Sequence, residues 1–460
     1  MKRFLRSPPG LVLLSVLALG GTAATLAGLP VLQVDNDVRT MIPPDHPVLR
    51  WCDEVDDIFG ATDAMVLALE GPEGLTPPLV ELVRDLSDAL AARHEDVLSL
   101  STADTIEVRG TTLRPVPLLD EGPVDDAAVA RLRERLDAWP VFKGMLVSGD
   151  GRVPAILLKV PMGIPVEQKD ALLEDVRRIV DERIGASGLP VRAVITGEPV
   201  LTSEIGRRVH HDLTRLSPLA LGVVLLMLLL TLRSVGGVLG PTLTVVLGTG
   251  ATFGLMGLLG RPVMTVTSAI PVFMVAVGSA YGIHIVAHFR EALGPGVRRR
   301  DALAASLGTV GGAVLVAAVT TMAGFLSLAV TPVVPVRDFG LFLCFGIGMA
   351  FLASMGVVPL ILLPGRPGRG TPRAPGGGPP EGGLLRRILE GLASGSARLR
   401  WGVMALVLIL AGVMAAAAAT RLRVEVDSVG LFPEDSEMWQ ADRYFGERFG
   451  GTHTLSVVDA

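Results

Sequence analysis

"VMTVTSAIPVFMVAVGSAYGIHIVAH", residues 263–288, runs 26 positions without an Asp, Glu, Lys or Arg. A helix crosses a hydrocarbon core in about 20 residues at ~1.5 Å each, so this run is long enough and apolar enough to span a bilayer. Segments at about 11–29, 216–232, 238–259, 303–329, 339–363 and 402–420 meet the same test, which makes seven spans. Composition agrees, because half of the 460 residues are hydrophobic and only 19% are charged. Such a balance excludes an ordinary soluble protein and predicts a polytopic α-helical membrane protein.

The formal charge of -5 hides an asymmetry between the loops. Lys2, Arg3 and Arg6 precede the first span, Arg233 follows the second, Arg290 and Arg298 to Arg300 follow the fourth, and Arg366, Arg369, Arg373, Arg386, Arg387, Arg398 and Arg400 follow the sixth. The positive-inside rule puts these on the cytoplasmic side, with the N-terminus. The segment between the first two spans then lies outside, and it is long enough for a domain. Cys52 falls in that segment and Cys344 in the sixth span, so no disulfide framework is expected.

The chain contains an internal repeat. "LQVDNDVRTMIPPDHPVLRWCDEVDDIFGATDAMVLAL" from Leu32 aligns without a gap with "LRVEVDSVGLFPEDSEMWQADRYFGERFGGTHTLSVVD" from Leu422, matching Asp37 to Asp427, Pro43 to Pro433, Phe59 to Phe449 and Gly60 to Gly450. An apolar span precedes each copy. The expected architecture is therefore a tandem repeat without inversion: one span, an outside domain and five spans, then the start of a second copy. On this reading the sequence is the front of a chain of about 780 residues, twice the repeat offset. A half-transporter that dimerises is the competing reading.

These divisions give a tail and first span at 1–32, an extracytoplasmic α+β domain at 33–212, a five-helix bundle at 213–364, a linker at 365–400, a seventh span at 401–421 and the start of a second outside domain at 422–460. Within 33–212, "DAMVLALEG" (63–71) and "VLSLST" read as strands, and Leu79, Leu82, Val83, Leu86 and Leu90 form a helical stripe behind two prolines. "DDAAVARLRERLDAW" reads as a helix capped by Asp125 or Asp126, and "KGMLVSGDGRVPAILLKV" (143–160) as a hairpin. A helix at about 165–184 and the strand "VRAVITG" complete a series that suits a ferredoxin-like unit. "GRPGRGTPRAPGGGPPEGG" is a flexible linker by composition, and the basic amphipathic segment after it suits a helix on the inner leaflet or a solvated one.

No GxxxxGK[ST] phosphate loop is present, nor any catalytic or metal-ligating constellation with usable spacing, so neither enzyme nor cofactor is expected. The spans carry Gly236 with Gly240, Gly250 with Gly254 and Gly308 with Gly312 at small-xxx-small spacing, which allows close helix approach.

"GEPVLTSEI" (197–205), "LRS" (232–234), "GSAYGIHIVAHFREAL" (278–293) and "TTMAGFLSLAVTPVVPVRDFGLFLCFGIG" (320–348), in this order, resemble the resistance-nodulation-division superfamily of exporters. Within it they are most similar to the MMPL-type, sterol-sensing-domain-like permeases, and the resemblance covers nearly the whole chain. It implies proton-driven export of lipids or other amphiphiles from a bacterial inner membrane. The implied partners are the amphiphilic substrate, membrane lipids and the missing second half of the chain; no nucleic-acid partner is expected, and oligomers or adaptors are not readable.

Many members of that family carry an Asp-Tyr pair in the fourth span as part of a proton relay, and the matching pair here is Ala280-Tyr281. Tyr281, His284 and His288 lie on one arc of a helical wheel, with Ser279 beside them and Thr320 and Thr321 as expected neighbours, and imidazole titrates near neutral pH. These six are the candidate relay or transport residues. His288 equally suits a residue that reaches water at the cytoplasmic boundary, and His284 a neutral ring bonded to a hydroxyl or carbonyl. Glu204, Asp212, Arg337 and Asp338 are the candidate outer gate, and "RRVHHDL" (207–213) fits either a guide for anionic headgroups or an ordinary interfacial belt. The leading expectation is an export permease; the alternative is a sterol-sensing-like lipid receptor that does not pump.

Overall fold

The computed structural model describes residues 8–35, 38–59, 62–94, 96–109, 112–161, 164–232, 235–294, 296–364, 400–421, 429–430 and 432–451. After α1 (Pro8–Leu26) come α2 (Pro47–Phe59), β1 (Thr62–Glu70), α3 (Pro77–Ala91), β2 (Val97–Leu98), β3 (Asp104–Arg109), β4 (Thr112–Pro117), α4 (Asp126–Ala138), β5 (Ala155–Pro161), α5 (Val166–Ser187) and β6 (Arg192–Gly197). α6 (Glu198–His211) runs through a wider π-type turn at Asp212–Leu216 into α7 (Ser217–Leu232). Then follow α8 (Val235–Leu258), α9 (Ile270–Ala292), α10 (Arg299–Leu326), α11 (Val334–Leu362), α12 (Arg400–Arg421) and α13 (Glu437–Phe449). The linker and the amphipathic segment after it lie outside the described residues, as do 422–428 and 452–460 of the second copy.

All seven apolar runs form helices long and apolar enough to cross a membrane, so this is a multi-pass helical membrane protein. The second is Glu198–Leu230, a single helical path. The expected boundary at 212/213 falls within this path, at its π-type turn.

Between α1 and α6 the chain builds an α+β unit. Pro77 and Pro78 occupy the first turn of α3, where a missing N–H costs nothing, and its five-residue apolar stripe is buried. Asp125, rather than Asp126, caps α4, its carboxylate accepting from Ala128 N at 2.7 Å. The sheet is antiparallel with order β2-β5-β1-β6. Along β1 the side chains alternate: Met65, Leu67 and Leu69 face the main core with Leu86 and Val180, whereas Ala68 faces the opposite side.

Two local readings of the sequence change. β2 has only two residues, and 143–160 is not a full hairpin: Val147 and Pro154 make an isolated bridge, while β5 pairs with β1 and β2. Burial explains this, because β5 is largely enclosed and needs a paired strand on each side. The β3–β4 hairpin was not anticipated from the sequence.

The second face of the sheet is covered by α13. Phe445, Phe449 and Ala441 pack on Ala68, Ala155 and Val194, and Arg448 bridges Glu70 at 3.3 Å and Asp150 at 3.1 Å. Burial and the neighbouring Glu70 carboxylate push the Tyr444 phenol up to about 12. α2 and α13 are each 13 residues long and begin 390 residues apart.

In the membrane layer α11 packs against α1, α8, α9 and α10. α1 comes close to its neighbours where glycine leaves the backbone bare. A Cβ on Gly356 would sit 2.5 Å from Ser15 N, and one on Gly254 would sit 2.2 Å from Thr25 O. A Cβ on Gly312, by contrast, would meet open space, so not every small-xxx-small pair is a contact. Two hydroxyls in this layer link α9 to its neighbours: Thr244 Oγ1 donates to Gly278 O at 3.0 Å and Ser306 Oγ to Ile285 O at 3.0 Å. At the other end Arg299 donates to Leu362 O at 2.7 and 2.9 Å.

Two outcomes are expected. Gly356→Leu forces α1 from α11 and lowers stability by about 1–3 kcal/mol or more, the usual cost of overpacking; a thermal scan of the purified protein that matches wild type refutes it. In the α+β unit, hydrogen bonds from Arg131 (2.7 Å), then from Arg135, hold the Asp120 carboxyl below its usual range. A depressed folded-state value means the contribution is present above the unfolded-state value, about 4, and is lost as pH falls through the folded one. Asp120→Asn is therefore less stable than wild type at neutral pH and converges with it in acid; parallel curves over a pH series contradict this.

Candidate functional site

α9 starts behind Pro271, in its first turn, and carries the candidate relay. Burial divides residues that a helical wheel groups. Tyr281 is only 4% exposed and Ser279 is buried, Ala280 is half-buried, and His284 is exposed. The Tyr281 hydroxyl is enclosed with no hydrogen-bond partner among the described residues. Thr321 is its polar neighbour, but the threonine hydroxyl donates to Ala317 O at 2.7 Å within its own helix. Thr320 is exposed and likewise bonds back, to Val316 O at 2.9 Å. His288 Nδ1 lies 3.1 Å from Glu291 Oε2, a pairing at the end of the helix. The structure thus sets Tyr281 beside Thr321, with His284 and Thr320 exposed and His288 paired with Glu291.

The gate residues form local pairs rather than one cluster. Glu204 pairs with Arg207 on its own helix, and Asp212 lies 3.7 Å from His211 Nδ1. Asp338, its side chain 6% exposed, lies 3.8 Å from both Arg337 and Arg261. Sequence reasoning missed Arg261. Its signal was charge sign: it is the lone basic residue in the short loop "GRP" on the side that the positive-inside rule leaves without cations.

Two cavities adjoin α6 and α7. The upper, about 530 Å³, is lined by Glu167 and Asp170 of α5 and by Arg207, His210, His211 and Arg215. The lower, about 420 Å³, is walled by apolar side chains including Leu221, Val246, Phe253 and Val275. "RRVHHDL" therefore lines the junction of the α+β unit with the membrane helices.

A large α+β unit inserted after the first of several packed membrane spans, with cavities at the junction, defines a polytopic permease-like membrane protein. The chain belongs to the MMPL family, whose profile matches residues 40–374. It is 23% identical over 363 residues to the membrane protein MJ1562 of Methanocaldococcus jannaschii, covering 78% of this chain and 92% of that one. It is 28% identical over 177 residues to MmpL11 of Mycolicibacterium smegmatis, named an exporter of mycolic acid-containing lipids, covering 37% of this chain and 18% of that one. MmpL11 of Mycobacterium tuberculosis, named a heme uptake protein, is 24% identical over 212 residues, 44% of this chain and 22% of that one. The matched part is thus about a fifth of the length of either MmpL11 protein.

Tyr281 gives a test that separates packing from function. Its hydroxyl is buried without a partner, so Tyr281→Phe removes a desolvation cost of about 1–3 kcal/mol and leaves stability equal or higher. A clear drop in the unfolding temperature of the purified variant would show that the hydroxyl is bonded in the working protein.

Proposed function

We propose that this protein exports lipids or other amphiphiles, driven by protons in the complete transporter. The observation that carries the reading is the family match over residues 40–374, which spans the α+β unit and five of the membrane helices. The exporter name of the Mycolicibacterium relative favours lipid over other cargo, while the heme name of another relative keeps a broader amphiphile class in view. Lipid and heme share a large apolar surface with acidic groups.

In this reading the α+β unit is extracytoplasmic and ferredoxin-like. The strand order β2-β5-β1-β6, with α3 and α5 in the two crossovers, supports it. The chain is a tandem repeat, supported by the equal lengths and 390-residue separation of α2 and α13. Tyr281 and Thr321 are the groups of the first repeat best placed to serve a relay, with Ala280 where a carboxylate stands in many relatives. That alanine also favours the second reading, a lipid receptor that binds without pumping.

Reconstitution into liposomes with a proton gradient separates the two. For the exporter, movement of a labelled lipid falls to the protein-free rate when a protonophore is added. Lipid binding with no gradient-dependent movement establishes the receptor instead.

A further inference from the structure

Both cavities adjoin the α6–α7 path. Arg207, His210, His211, Thr214 and Arg215 line the upper one; Leu213, Ser217, Pro218 and Leu221 line the lower. The lining positions run from Arg207 to Leu221 through the π-type turn, so the two cavities are neighbours along one stretch of helical path. From Arg207 to Leu221 it is roughly 20 Å long at ~1.5 Å per residue. The opposite wall is shared as well: the chain leaving α1 supplies Val34 above and Leu29 and Leu32 below.

Chemistry changes sharply along this groove. The upper part carries two arginines and two histidines on the α6 side, facing Glu167 and Asp170 of α5. Several of these are engaged: Arg207 with Glu204, Asp170 with the Ser203 hydroxyl, and His211 near Asp212. Arg215, nearest the apolar part, makes no ion pair among the described residues. The lower part is apolar except for hydroxyls such as that of Thr249, whose Oγ1 is buried without a hydrogen-bond partner. A free anion would leave the lower cavity empty, and a hydrocarbon would leave Arg215 unmatched.

We propose that this groove holds one phospholipid taken from the leaflet beside the α+β unit. Its phosphate lies at Arg215 and His211, and an acyl chain lies in the lower cavity between α7, α8 and α9. A guanidinium gives a phosphate charge-assisted, paired hydrogen bonds. An ester carbonyl on the way down gives the Thr249 hydroxyl the acceptor it lacks. The site rests on the lipid-handling reading above and names where that lipid is first held.

The test uses the full-length protein in detergent with two fluorescent probes of equal chain length, a phosphatidylglycerol and a neutral diacylglycerol. Wild type is expected to hold the phosphatidylglycerol about tenfold more tightly, as a charge-assisted pair implies. Arg215→Gln removes that preference, and Val246→Trp, which fills the lower cavity, weakens both probes. Equal binding of the two probes by wild type overturns the proposal, as does an unchanged preference in Arg215→Gln, or displacement of the lipid probe by millimolar inorganic phosphate. Liposome flux distinguishes the two readings. Preferential binding without flux supports the site while refuting export; flux without preferential binding refutes the site alone.

Discussion

A bilayer offers no water to a polar backbone and no hydrophobic gain to helices that meet inside it, so helices associate there through close fit and hydrogen bonds. In this protein the fit depends on bare backbone. Gly356 lets α1 lie against α11, and Gly254 lets the end of α1 lie against α8, at distances that no side chain permits. Once α1 is seated, the chain emerging from it is fixed too: Val34 pairs with Val263 in an isolated bridge, and Val263 N donates to Gln33 O at 2.7 Å. That anchor holds the entry to the α+β unit beside the loop that begins the fourth span. It also sets one wall of the groove that ends the membrane layer.

The exit from the α+β unit is fixed in a different way. β6 passes into α6 without a linker, at Gly197, whose φ of 125° and close approach to Ala64 O, 2.1 Å from an added Cβ, exclude any other residue without rearrangement. The helix that starts there continues through the π-type turn into the second span. Strand and membrane helix are thus mechanically continuous. The regular ladder along this path is interrupted at the turn at Asp212–Leu216, beside the cavities between the two layers.

Much of this was legible in the sequence, and the limits have physical causes. Spans announce themselves because burial in lipid demands about 20 apolar residues whatever their neighbours are. The α3 stripe and the Asp125 cap were legible because each depends on residues within one or two turns. β3 and β4 were not, since Pro115 and Pro117 within the second strand weaken its reading as a strand. Arg261 and Asp338 lie far apart in sequence and meet only after α9 has folded back against α11. For Tyr281, His284 and His288, periodicity offers an arc, but which part of it is enclosed depends on α8, α10 and α11.

Tyr281 shows how the two kinds of information combine. The family resemblance draws attention to Ala280-Tyr281; structure shows that the phenol is enclosed, without a hydrogen-bond partner among the described residues, and next to a threonine whose hydroxyl donates within its own helix. A buried hydroxyl left in that state costs free energy, which a purely structural role would relieve by phenylalanine or by a small rotation of Thr321. Tyr281 is enclosed on the packed side of α9, while Phe273 and His284 lie on its exposed side.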